Sequence, residues 1–149
     1  MRYFLKFNAL SAIFALFPFI WSELVVNVYR INRITGVDIA FINRISLITG
    51  LLCFSLLIVM FVFMIQKRFL PLKRTNLLFG LSWIPYYLLC ILLFSSQFPM
   101  NEQADKASPA SGLIIMAGLL IYIFILTGMN AIALFSKEHF SFKGKQQLK

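Results

Sequence analysis

Few residues in this 149-residue chain have side chains suited to chemistry. The acids are Glu23, Asp38, Glu102, Asp105 and Glu138, scattered along the chain. His139 is the single histidine, and Cys53 and Cys90 are the two cysteines. A catalytic centre needs an acid, base or nucleophile placed together around a pocket, and a metal centre needs three or four ligands. Neither pattern is present, so the sequence points to a non-enzymatic protein with no cofactor and no metal. The cysteines fall in separate apolar runs at different depths, which speaks against a disulfide, and no CxxC suggests thiol exchange. Packing is their ordinary role.

Glu23 stands apart because it is the one acid inside a long apolar run. A carboxylate in hydrocarbon is costly and by default marks a proton or cation path. Near the end of its run it can also reach water, or pair with Arg30 seven residues on, and this interfacial reading is the favoured one. Asn8 and Asn130, with Thr127, are amides and hydroxyls in apolar surroundings. Such groups bond between helices for about 1 kcal/mol each, and an Asn8–Asn130 contact would tie the first helix to the last. Ser46, Gly50 and Cys53 form a small-residue stripe at helical spacing, suited to close helix approach or to a partner. Arg30 and Arg33 accompany Asn27, Asn32 and Asp38, while Val28, Ile31 and Ile34 recur every third position. That pattern reads as a short helix lying in a membrane interface before a break at Thr35-Gly36. Its basic face is either a headgroup-bound connector or an outer docking surface. Trp83, Tyr86 and Tyr87 read as packing residues. His139 reads as a solvated or lipid-facing side chain.

The elements that must carry these residues are set by composition. Hydrophobic residues make up 60% of the chain and charged residues 13%, the latter in islands between long uncharged runs. A soluble domain is nearer half apolar and a quarter charged. About 20 apolar residues in a helix cross the hydrocarbon core, and four stretches qualify: roughly 5–28, 45–65, 75–94 and 112–135. The expected fold is all-α, four transmembrane helices in an antiparallel bundle forming one domain. A short basic tail, 136–149, follows. The first span resembles a signal peptide in its charged start, but no small-residue cleavage site follows it, so it reads as retained. Pro18 is expected to kink it.

The net charge of +9 does not indicate nucleic acid, because the basic residues flank spans rather than forming one face on a soluble fold. Arg2, Lys6, Lys67, Arg68, Lys73, Arg74, Lys137, Lys143, Lys145 and Lys149 fall on one side of the membrane. Arg30, Arg33, Arg44 and Lys106 fall on the other. The positive-inside rule then puts both termini in the cytoplasm, and the tail should favour anionic inner-leaflet lipid. The loop through Pro71 is short, so spans two and three should be neighbours.

This layout looks like that of several unrelated small bacterial membrane proteins, four-span immunity proteins against pore-forming bacteriocins among them. The likeness is one of layout and carries no shared motif. It implies a multi-pass protein of the cytoplasmic membrane, acting by intramembrane packing with a partner, either another membrane protein or itself. Accessory subunits and immunity-type proteins belong to that class. The alternative is a small oligomeric transporter or channel, proton-coupled through Glu23.

Overall fold

The computed structural model describes residues 2–66, 79–100 and 102–146, with side chains over 4–63, 80–100 and 102–135. The loop residues Lys67, Arg68, Pro71, Lys73 and Arg74, the start of the third expected span and Lys149 lie outside the described residues. So do the side chains of Lys137, His139, Lys143 and Lys145. The described chain is helical, without strands. Four helices are long and apolar enough to cross a membrane: Phe4–Val26, Ile39–Phe63, Gly80–Gln97 and Pro109–Phe135.

Helix α1 covers Arg2–Val26 and runs on through Pro18. It gives way at Asn27, whose amide bonds both the carbonyl and the carboxylate of Glu23, each at 2.9 Å. An Asn side chain that competes for backbone groups in this way favours a helix end. Helix α2, Val28–Thr35, ends on Gly36, which has φ +70° and sends its N–H to Asn32 O. A left-handed residue after a helix is the usual glycine stop, and it falls at the Thr35-Gly36 break read from the sequence. Asn32 Nδ2 then holds Val37 O at 2.7 Å, closing the turn into α3, Ile39–Gln66.

The third span departs from the expected single run. It is split into α4, Phe79–Ser82, and α5, Ile84–Gln97, with a turn at Trp83. Pro85 explains the split: it has no N–H for the carbonyl one turn back and its ring crowds that turn. The indole of Trp83 compensates nearby, donating to Gly80 O at 2.8 Å. The last helix, α6, begins at Pro109 behind Ser108, whose Oγ accepts the N–H of Ser111 at 3.3 Å. Serine before proline is a favoured helix start. Helix α6 continues to Gln146, so the segment expected as a polar tail extends an existing helix. Elongation needs no new nucleus, and no proline interrupts it.

Helix α1 is central. It packs against α3, α4, α5 and α6, while α3 and α6 lie on it rather than closing on each other. Leu10, Phe14, Ala15, Leu57, Trp83, Tyr87, Tyr122 and Leu126 form the buried core. The opposite faces of α3 and α6 are bare hydrocarbon, with Leu52, Val59, Phe124 and Phe135 all more than half exposed. Exposed apolar area of that extent suits lipid or another apolar surface, not water.

Candidate functional site

A polar stripe on α1 holds the helices together. Asn8, Ser11 and Ser22 are spaced to share one helical face, and each meets α4 or α5. Tyr86 OH donates to Asn8 Oδ1 at 2.6 Å, Ser11 and Ser82 share a hydrogen bond of 2.7 Å, and Tyr87 OH donates to Ser22 Oγ at 3.2 Å. On the side of α6, Tyr122 OH donates to Phe14 O at 2.6 Å in buried surroundings. Phe14 is four residues before Pro18, so its carbonyl is the one that proline deprives of an N–H. Neighbouring helices commonly supply the missing donor when proline lies in an apolar span. Here a tyrosine 108 residues away does so.

Trp21 is the second joint. Its Cδ1 and Nε1 edge lies against Gly50 of α3, where an alanine methyl would sit only 2.8 and 2.9 Å away. The opposite edge, Cη2 and Cζ3, lies against Gly118 of α6, where a methyl would sit at 2.5 and 2.6 Å. One indole thus spans two helices at positions that have no side chain. Gly80 similarly receives Thr127, whose hydroxyl a methyl there would overlap.

Around Trp21, between α3 and α6, lies a cleft of about 570 Å³. Phe17, Trp21, Leu47, Leu51, Ile114 and Leu119 line its apolar part. Tyr29, Asn43, Ser108 and Ser111 line it where α3 and α6 begin. Ser46, Gly50 and Cys53 all face it, so the structure brings the expected small-residue stripe together there. Gly50 is filled from within by Trp21, and Ser46, 3% exposed, donates to Ile42 O. Both cysteines are free thiols.

The end of the molecule above the cleft is fastened by α2. Arg33 grips Asp105 through Nε and Nη2, both at 2.7 Å, and Arg30 donates to Phe98 O at 3.0 Å. The paired hydrogen bonds from Arg33 hold the Asp105 carboxyl below the usual carboxylate range. The arginines expected on an outward docking face are therefore engaged by the chain's own segment between α5 and α6.

Two expected pairings are corrected. Asn8 does not meet Asn130: its oxygen takes Tyr86 and its nitrogen donates to Phe4 O, while buried Asn130 donates back to Leu126 O. A carbonyl one turn back is always within reach of such an amide, and it satisfies Asn130 without a second helix. Glu23 does not pair with Arg30. The helix is interrupted at Asn27 between them, Asn27 takes the carboxylate, and Arg30 turns to Phe98 O. Ser11, Ser22, Tyr122 and Trp21 were not singled out as linked positions. The Asn8, Ser11, Ser22 spacing and a proline with an unmatched carbonyl were the available signals.

Among the described residues no group of three or more His, Cys, Asp or Glu gathers as for a metal ion. The chain matches no protein-family model, no curated protein and no solved structure.

Proposed function

We propose that this chain is an integral protein of the cytoplasmic membrane, an antiparallel four-span unit with both termini in the cytoplasm. It acts without catalysis, by packing an apolar helix face against a membrane partner, as an accessory subunit or an immunity-type protein does. The observation that carries this reading is the contrast between α1 and its neighbours. The polar groups of α1 are satisfied inside the chain, whereas α6 presents Leu113, Met116, Leu120 and Phe124 outward, each more than half exposed. Internal closure with bare apolar faces outside suits a rigid body that docks.

The orientation is tested by reporter fusions after Gln66, Gln103 and Lys149. Cytoplasmic signals are expected at the first and last, and an external signal at Lys149 overturns the topology. Docking is tested by photo-crosslinkers at Phe124 and, as a control on α5, at Leu92. A single protein adduct from Phe124 in native membranes is expected, and lipid adducts alone from both positions would remove the docking reading.

One feature favours a transporter instead: the Glu23 carboxylate lies within a span with a neutral amide as its hydrogen-bond partner. In that case Glu23→Gln abolishes proton-coupled flux in reconstituted vesicles. Unchanged flux excludes this version.

A further inference from the structure

We infer that the cleft between α3 and α6 is a binding site for one membrane phospholipid. Its head lies among Tyr29, Asn43, Ser108 and Ser111, and a hydrocarbon chain runs down to Trp21. The inference needs the helices to lie in a bilayer but does not depend on any protein partner.

Three observations carry it. The first is size: about 570 Å³ lies within the range of pockets that hold small ligands, roughly 300–1,000 Å³. The second is depth. On α3 the lining runs from Ile39 to Phe54, and at about 1.5 Å per residue this is roughly 22 Å. A bilayer with its headgroup layers is about 40–45 Å thick, so the cleft reaches about one leaflet's depth, headgroup included, and stops. A partner's spanning helix would call for a groove along the whole thickness, whereas one lipid occupies one leaflet.

The third is the distribution of polarity. The deep part is mostly apolar, and the indole of Trp21, held between two glycines, lines it. Apart from the Trp21 N–H and the Tyr122 hydroxyl, which donates to Phe14 O, the hydrogen-bonding groups cluster toward the end where the helices begin. There the Tyr29 hydroxyl and the Asn43 amide have no hydrogen-bond partner among the described residues. Arg44 and Lys106 are exposed at the same end, as are Asp38 and Glu102. The hydrogen-bond donors at the mouth suit the phosphate and ester oxygens of a headgroup. In a bilayer the apolar part cannot remain open to water, and hydrocarbon is what surrounds it.

The test uses the full chain in mild detergent, titrated with a phosphatidylglycerol brominated along its acyl chains, which quenches tryptophan on contact. Trp21 lies in the cleft, whereas Trp83 is 1% exposed and shielded. Saturable quenching is expected, complete near one lipid per chain and lost in Trp21→Phe. Ser111→Phe and Ala110→Phe, which fill the mouth, should each weaken apparent binding at least tenfold. Leu113→Phe, on a residue outside the cleft and 69% exposed, should leave it unchanged. Two variants are used so that a folding defect in one does not decide the matter. Quenching that rises in proportion to lipid mole fraction without saturation, equally in all variants, would show only bulk lipid and overturn the inference. Trp21 shielded from brominated lipid in vesicles, together with an Ile114→Cys cross-link between two copies, would assign the cleft to a second copy and also overturn it.

Discussion

The hydrogen bond from Tyr122 to Phe14 O makes a quantitative prediction about how this chain tolerates Pro18. Tyr122→Phe removes one oxygen and keeps the ring, so the edge-to-face contact with Trp83, at 4.8 Å between centroids, survives. What is lost is the donor standing in for the N–H that proline lacks. Leaving a buried acceptor short of its partner costs about 1–3 kcal/mol, while interhelical bonds in membranes are worth about 0.6 on average and at most about 1.7. The two ranges overlap at about 1–2 kcal/mol, a roughly five- to thirtyfold drop in the folded-to-unfolded ratio. In a Pro18→Ala background the backbone supplies its own donor to Phe14 O, and the same Tyr122→Phe change should cost less than about 0.5 kcal/mol. Reversible unfolding in mixed detergent micelles, followed by tryptophan emission for the four proteins of the cycle, gives a coupling of about 1 kcal/mol. Equal losses in the two backgrounds would refute the claim that tyrosine compensates for proline.

Carbon atoms pack at about 3.5–4.0 Å, so a methyl at Gly118 intrudes on Trp21 by about 1 Å, and the ring cannot retreat without striking α3 beside Gly50. Gly118→Ala should therefore cost about 1–3 kcal/mol in the natural chain and nothing in Trp21→Ala, measured by the same unfolding assay. The Arg33–Asp105 link has a defined pH dependence. Because the folded carboxyl titrates below its unfolded value, its contribution is present at neutral and mildly acidic pH. It is lost only as pH falls through the depressed folded value. Spin labels on α2 and beside Asp105 should stay close down to below about pH 4, whereas Asp105→Asn should separate them at neutral pH.

The spanning helices were legible because long uncharged runs admit few other structures. The Thr35-Gly36 stop was legible because a left-handed residue at a helix end favours glycine. The pairings were not. Asn8, Asn130 and Glu23 each carry groups that must be satisfied, but sequence does not say whether a neighbouring helix or a carbonyl one turn back does so. In Asn130 the local carbonyl suffices, in Asn8 Tyr86 joins it, and in Glu23 Asn27 intervenes. Arg33 illustrates the same limit. Its charge on an otherwise sparse side suggested an outward role, yet its partner Asp105 lies 72 residues on, in a loop with no periodicity to fix its path. Trp21 reads in the sequence only as a candidate interfacial aromatic; its wedge role carried no signal, because the two glycines that admit it belong to different helices.

In hydrocarbon there is little to gain by burying leucine, so packing and hydrogen bonds decide which helix goes inside. The ordering here follows that rule: α1 carries the polar stripe and the deprived carbonyl and is the most buried span, while the more apolar α3 and α6 face outward. The same rule accounts for the cleft. Among the described residues no hydrogen bond joins α3 to α6, and the indole of Trp21 stands between them at the level of Gly50 and Gly118. The wedge that joins the two helices is thus also what keeps them apart above it. Trp21→Ala should let α3 and α6 approach, with a shorter distance between spin labels at Leu51→Cys and Ile114→Cys and loss of saturable lipid binding. An unchanged distance would mean that the helices are held apart by their packing on α1 alone, and that Trp21 occupies a gap it did not make.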